Sequence, residues 1–160
     1  MAGRHWLRNH AEAVLRVVLL LLVLVLIVRR WVCCPILITG NSMLPTLRSG
    51  QLALLNKLAY RFRPPERGDI VSLWTGGELW TKRVLGLPGE EIEIRRGTIY
   101  VNGSPLREPY VRFNDSADIA PGKLGANRFV VAGDNRGPAL IVVVSRERIV
   151  GRLMFVRKSQ

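Results

Sequence analysis

The chain has 160 residues, 48% of them hydrophobic, and carries 24 Lys and Arg against 12 Asp and Glu, a formal net charge of +12. This length allows one domain of ordinary size, and the composition excludes a disordered tail or a fibrous repeat. The two cysteines are adjacent, Cys33 and Cys34, and His5 and His10 lie far from them, so we expect neither a disulfide framework nor a metal site. The positive charge predicts an anionic partner, either nucleic acid or an acidic membrane surface.

The first predicted element is a long apolar helix. Residues 17–28 contain no polar side chain, and residues 11–28 would form roughly 27 Å of helix, close to the hydrocarbon thickness of a bilayer at about 30 Å. A core helix in so small a domain would carry a polar stripe. We therefore predict a transmembrane anchor over residues 11–31, after a short flank over residues 1–10.

A cleaved secretory signal is the alternative for this segment, because Arg4 and Arg8 form a basic region before the apolar run. Residues 29–35 read R-R-W-V-C-C-P and offer no A-x-A-like cleavage site. We expect an uncleaved anchor. Three arginines lie on the N-terminal side of the apolar core and two on the C-terminal side, a small excess that favours a cytoplasmic N-terminus.

Beyond residue 38 the pattern changes to short β-type runs separated by turn signals, which predicts a β-rich domain over residues 36–160. The predicted strands cover residues 70–75, 78–85, 91–95, 98–101, 129–132, 141–144 and 149–156. Two-residue turns are predicted at Gly76-Gly77, Arg96-Gly97 and Asn102-Gly103. We expect a short helical turn near residues 52–60 and a long surface excursion over residues 107–127.

Ser42 is the first candidate for chemistry. It follows the apolar segment closely and lies between Gly40 and Pro45, which constrain the backbone. Taken alone, such a serine is typical of a turn or a cap as much as of a nucleophile.

Lys82 is the second candidate. Strand alternation puts Trp80, Lys82 and Val84 on one face, so an inward orientation of that face would desolvate the lysine. Desolvation lowers the pKa of an amine, and a neutral amine can accept the proton of a serine hydroxyl. The alternative is an exposed lysine whose apolar strand neighbours are coincidental.

Five segments together resemble the sequence boxes of type I signal peptidases. In chain order they are residues 42–46, S-M-L-P-T; 68–71, G-D-I-V; 82–90, K-R-V-L-G-L-P-G-E; 133–136, G-D-N-R; and 149–152, I-V-G-R. The likeness runs from about residue 10 to residue 157 and includes the apolar segment. One box would be a weak signal, whereas several in the family's order after one N-terminal apolar helix are specific.

The resemblance implies a mainly β fold, a signal-peptidase-like β-rich catalytic domain preceded by a single N-terminal transmembrane helix. It implies a serine endopeptidase that removes signal peptides from exported preproteins, on the outer side of the plasma membrane, without metal or organic cofactor. Ser42 would be the nucleophile, with its backbone N–H donating to the oxyanion, and Lys82 the general base. Met43 and Pro45 would shape the substrate cleft.

The same resemblance gives supporting roles to Asp134, Asn135 and Arg136, the first two ordering the loop on the Lys82 side. Asp134 as a simple turn residue is the alternative. Residues 137–144 read G-P-A-L-I-V-V-V where the family usually has a lysine-orienting S-x-D-S-R segment. Gly40 stands where some members have a serine that completes the oxyanion hole.

Several other functions compete with this interpretation. A specialised processing peptidase with few substrates has the same chemistry, and a catalytically inactive, membrane-tethered domain would only bind signal peptides. The apolar helix argues against soluble Ser–Lys autoproteases of the SOS-repressor kind. Nucleic-acid binding is not expected, because the arginines are scattered and no binding motif occurs. The expected partners are signal peptides and anionic lipid headgroups, and a partner subunit is left open.

Overall fold

A computed structural model describes residues 2–111, 118–136 and 141–156 of the chain. Helix α1 spans Ala2–Ile27 and continues as a π-helical turn over Val28–Val32. The helix ends where Cys33 adopts extended backbone angles, φ −152° and ψ 152°. Among the described residues, no helix has the combination of length and apolar content that crossing a membrane requires.

The rest of the fold is β-structure in two antiparallel sheets. The larger sheet has the order β1-β2-β11-β3-β4-β9-β10 and the smaller has the order β7-β6-β5-β8. In chain order the strands are β1 Cys33–Leu37, β2 Leu52–Asn56, β3 Ile70–Thr75, β4 Glu78–Gly86, β5 Glu91–Arg95, β6 Thr98–Val101, β7 Ser104–Pro105, β8 Ile119–Lys123, β9 Arg128–Ala132, β10 Ile141–Ser145 and β11 Ile149–Val156. A 3-10 turn over Arg146–Arg148 precedes β11. The predicted mainly β fold is confirmed.

The predicted hairpin turns are confirmed by their backbone angles. Gly76 and Gly77 have φ values of 59° and 86°, as a type I′ turn requires at its two central residues. Arg96-Gly97 and Asn102-Gly103 also have positive φ at both residues. These turns set the β3–β4, β5–β6 and β6–β7 registers.

Three apolar clusters hold the fold together. One lies on the β4 face that carries Val84, where Val71, Leu73 and Val131 are fully buried. The second joins the two sheets through Leu85, Ile92, Ile94, Ile99, Leu124, Val130 and Ala132. The third packs beneath the loop between β1 and β2 through Ile38, Met43, Leu47, Ala53, Leu55 and Leu153.

Two sequence expectations about secondary structure were correct only in part. Where a helical turn was expected near residues 52–60, residues 52–56 form strand β2, which pairs with β1 and with β11, and residues 57–60 form a turn. The surface excursion expected over residues 107–127 contains strand β8, which pairs with β5 at the edge of the smaller sheet. All five β8 residues are exposed, so the strand carries no apolar alternation.

Candidate active site

Ser42 lies in the loop between β1 and β2, and this loop is fixed from beneath. Met43 and Leu47 are each only 2% exposed and pack with Ile38 and Leu55. The Leu47 N–H donates to the Met43 carbonyl at 2.8 Å, which closes the turn that directly follows the serine. Ser42 itself is half-buried, so its side chain is held at the surface of the packed cluster.

Lys82 lies on β4 with its side chain on the core face. Its register partner on β3 is Val71, which is fully buried, and the lysine is 3% exposed. Burial lowers the pKa of the Lys82 amine below its ordinary value. Within the described part of the chain, no carboxylate forms an ion pair with this amine. Its Nζ lies 5.5 Å from the centre of the Trp80 ring.

Ser42 and Lys82 line the same cleft, which has a volume of about 550 Å³. Residues 36–40 form one wall and residues 78–82 form the other. Strands β1 and β4 are separated by three strands in the sheet order, so the sheet must curl to bring these walls together. The Ser42 hydroxyl and the Lys82 amine do not hydrogen-bond to each other in this structure.

Both walls of the cleft have strand edges that are unpaired among the described residues. Strand β1 is the edge strand of the larger sheet. Strand β9 pairs with β4 only from Arg83 onward, so in the described ranges residues 78–82 pair with β3 alone. An extended peptide in this cleft would find backbone donors and acceptors on either side.

Asp134 is fully buried beside the cleft and is bound by two side chains. Arg83 donates from Nε to Oδ1 at 2.9 Å and from Nη2 to Oδ2 at 2.6 Å. The Thr46 hydroxyl also donates to Oδ2. The carboxylate therefore joins β4 to the far end of the Ser42 loop.

Asn135 holds the same loop through its backbone. Its N–H donates to the Ser42 carbonyl at 3.0 Å, and its side-chain amide donates to the Asn41 carbonyl at 3.1 Å. Arg136 is buried, donates to the Gly133 carbonyl at 3.0 Å and forms an ion pair with Glu108. Residues 133–136 thus form a support against which the serine loop is fixed.

Comparison with known proteins identifies the family of the chain. The family described as "Signal peptidase, peptidase S26" matches residues 11–156. This chain belongs to the signal peptidase S26 family. The resemblance predicted from the sequence is confirmed, and with it the enzyme class, a serine endopeptidase.

Individual relatives show how far the similarity extends. Signal peptidase I of Leptolyngbya laminosa is 35% identical, over 81% of this chain and 71% of that protein. Signal peptidase I of Bacillus amyloliquefaciens is 32% identical, over 88% of this chain and 82% of that protein. The crystal structure of a signal peptidase I from Enterococcus faecalis superposes with a TM-score of 0.50 at 28% identity, covering 57% of this chain and 98% of that one.

The other predicted residues of this S26 peptidase are distributed unevenly around the cleft. Met43 lines the cleft from its buried position, whereas Pro45 is exposed and does not line it. Asp134 and Asn135 were expected on the Lys82 side, but they contact the loop of Ser42, and Asp134 reaches β4 through Arg83 instead. Residues 137–140, the first half of the segment that departs from the S-x-D-S-R pattern, lie outside the described residues.

Sequence reasoning missed Arg83 and Thr46, the two partners of Asp134. With Lys82 and its alternate neighbours on the inner face of β4, strand alternation puts Arg83 on the outer face, so no sequence signal indicated its ion pair with the buried Asp134. Thr46 also had no signal, since its partner lies 88 residues away in the chain.

Proposed function

We propose that the chain is a membrane-bound signal peptidase in which Ser42 is the nucleophile and Lys82 the general base. The observation that carries the proposal is that a serine hydroxyl and a buried amine of lowered pKa line one cleft. Signal peptide cleavage is the activity that the family and its named relatives support.

The proposed reaction needs no group outside the chain, the substrate and water. The neutral Lys82 amine takes the proton of the Ser42 hydroxyl as Oγ bonds to the scissile carbonyl carbon. The Ser42 N–H donates to the oxyanion of the tetrahedral intermediate. When the C–N bond breaks, the lysine returns its proton to the leaving amine, which leaves an ester on Ser42.

The second half of the reaction repeats these transfers with water. Lys82 takes a proton from the attacking water, whose oxygen bonds to the ester carbon. Collapse of this second intermediate breaks the bond to Oγ, and the lysine returns the proton to Ser42. Only an amine that is neutral in its resting state can do this, so the burial of Lys82 favours the mechanism.

Substrate recognition is proposed to use the two unpaired edges of the cleft. A signal peptide would bind as an extended strand between residues 36–40 and residues 78–82. Side chains of the bound strand would alternate between the cleft floor and solvent. Met43 and Ile38, both buried beside the serine, leave little depth, which favours small residues next to the cut, as in the A-x-A pattern.

We propose that residues 11–31 anchor the peptidase in the plasma membrane, with residues 36–160 as the catalytic domain on the outer side. The apolar side chains of helix α1 from Val14 to Ile27 are all more than half exposed to surroundings outside the protein. Arg29, Arg30 and Trp31 are exposed at the end nearer the catalytic domain, where they suit anionic headgroups and the membrane interface. An anchored enzyme meets its substrate in two dimensions, which supplies part of the positioning.

The direct test is preprotein cleavage by the full chain in liposomes, with Ser42→Ala as the variant. We expect cleavage to fall by about a thousandfold or more, because the variant lacks the hydroxyl that attacks the scissile carbonyl carbon. Ser49→Ala is the matched control, since Ser49 is exposed and does not line the cleft. Cleavage by Ser42→Ala at the wild-type rate would refute the assignment.

Signal-peptide binding without cleavage is the second candidate function. The observation that favours it is the missing hydrogen bond between Ser42 and Lys82. Purified wild-type protein that bound a signal peptide, yet released no mature product at any pH, would establish this candidate and exclude the first. A specialised peptidase would cleave few preproteins out of a varied panel.

A further inference from the structure

Helix α1 joins the catalytic domain without a linker. Its π-helical turn ends at Val32, strand β1 begins at the next residue, and β1 contributes to the cleft wall from Ile36. Any tilt of the helix against the sheet would therefore move the cleft relative to the helix axis. The contacts that fix this junction also fix the height of the cleft above the end of the helix.

Lys57, which follows β2, makes these contacts. Its Nζ donates to the carbonyl of Arg29 at 3.2 Å and to the carbonyl of Arg30 at 3.1 Å. Its backbone N–H donates to the Val32 carbonyl at 2.9 Å. The last carbonyls of a helix lack helical partners and carry partial negative charge, so a lysine satisfies their hydrogen bonds and their electrostatics together.

The turn that carries Lys57 is itself rigidly placed. The Leu58 N–H donates to the Asn56 side-chain oxygen at 2.9 Å, which closes the turn. Strand β11 passes beneath it at Gly151, where a Cβ atom would lie 2.3 Å from the Asn56 carbonyl oxygen and 3.1 Å from the Lys57 Cα. Glycine at this position lets the turn lie directly on β11, the strand next to β2 in the sheet.

We infer that Lys57 is a positioning residue that sets the height of the Ser42–Lys82 cleft above the bilayer, an inference that rests on the proposed function. A signal peptide spans the bilayer with its apolar core, and an extended chain advances about 3.3 Å per residue beyond it. A change in cleft height of one such step presents a different peptide bond to Ser42. Lys57 thereby contributes to the choice of cleavage site without touching the substrate.

The test compares two substrates cleaved by the full chain in liposomes. The first is a preprotein whose apolar segment enters the bilayer, and the second is a soluble peptide with the same cleavage site and no apolar segment. For Lys57→Met, we expect kcat/KM on the preprotein to fall by about tenfold or more, with products cut one or two residues away from the wild-type site by mass spectrometry. The soluble peptide should be cleaved within about twofold of the wild-type rate, because the cleft itself is unchanged.

Two further variants complete the design. Lys57→Arg keeps a cationic donor and should restore the wild-type cleavage site, whereas Lys123→Met removes an exposed lysine from the smaller sheet and should change nothing. Equal losses on both substrates, or an unchanged cleavage site in Lys57→Met, would overturn the inference. Either result leaves the proposed function standing as long as Ser42→Ala is inactive; if Ser42→Ala cleaves both substrates, the proposed function itself falls.

Discussion

Lys82 and Arg83 are adjacent cations on β4 whose surroundings differ completely. Lys82 lies on the cleft face at 3% exposure, with no carboxylate bound to it among the described residues. Arg83 lies on the opposite face, bound by both oxygens of Asp134, with its guanidinium 4.0 Å from the centre of the Tyr110 ring. One strand therefore holds a cation for which the described part of the chain supplies no counterion, next to a cation with a bidentate carboxylate partner.

The pKa values of the two groups move in opposite directions for this reason. Burial lowers the pKa of the Lys82 amine, and no carboxylate within the described ranges opposes it. Burial, the largest single influence, acts in the same direction on Arg83, but the hydrogen bonds and charge of Asp134 together with Tyr110 and Glu108 outweigh it and raise the pKa of the guanidinium. Burial without a bound carboxylate favours the neutral amine that the proposed mechanism needs, whereas burial with a bound carboxylate makes a charged structural crosslink.

The largest effect should come from Lys82→Arg, which puts a permanently charged side chain at the buried position on the cleft face of β4. Arginine is not deprotonated in proteins, so it cannot take the Ser42 proton, and we expect preprotein cleavage to fall by about a thousandfold or more. Lys82→Met should be equally inactive. Single-turnover cleavage in liposomes measures both, with Lys123→Met as the control; substantial activity in Lys82→Arg would contradict a general-base role.

An intermediate effect should follow when the counterion of Arg83 is removed. Asp134→Ala leaves a largely buried guanidinium unpaired and frees the Thr46 hydroxyl, so we expect the free energy of unfolding to fall by about 3–5 kcal/mol. Urea unfolding of the purified protein measures it. Removing both charges, in Arg83→Met with Asp134→Leu, should recover much of the loss. A double variant as unstable as Asp134→Ala would show that the ion pair does not explain the effect.

The smallest effect is the stability cost of burying Lys82. Its folded pKa lies below the ordinary value of 10.5, so between these two values the unfolded chain binds more protons than the folded one. The free energy of unfolding of the wild type therefore rises as pH increases across this interval and falls by the same amount as pH decreases through it. The Lys82→Met variant has no such cost, so near neutral pH its melting temperature should lie above that of the wild type. The difference should be about 2–4 °C for each kcal/mol gained in the free energy of unfolding, and it should shrink toward pH 10.5. A difference in melting temperature that does not vary with pH would contradict the lowered pKa.

Much of the β-structure could be predicted because its signals are local. Strands β3, β5, β6 and β11 have the predicted bounds, and β4, β9 and β10 differ by one residue. Glycine and asparagine at turn positions with positive φ make a hairpin in almost any context. Strand β1 begins at Cys33, within a segment whose apolar and polar residues do not alternate, and it was not predicted. Strand β8 contains Pro121 and Gly122, which a strand tolerates only at an edge like this one.

The candidate site also has features that local sequence predicts and features that it does not. The burial of Lys82 was predictable from Trp80 and Val84, its neighbours on alternate positions of the strand. The contacts that fix the loop of Ser42 were not predictable from such local neighbours. Asp134 and Asn135 lie close to this loop in space but far from it in the chain, with 88 residues separating Thr46 from Asp134. Long-range polar partners leave no periodic trace in a sequence, and the pairing of Arg83 with Asp134 is of this kind.

By itself the sequence determined the apolar helix, the two-residue turns, the faces of β4 and the order of the family's boxes, because each depends on residues close together in the chain. Only the tertiary structure decided that the loop of Ser42 and the start of β4 share one cleft, because three strands lie between β1 and β4 and only the curvature of the sheet brings them together. It also decided that Asp134 would bind Arg83 and that, among the described residues, no carboxylate would pair with Lys82. Which of two adjacent cations receives a carboxylate depends on packing across the sheet, and no local pattern records it.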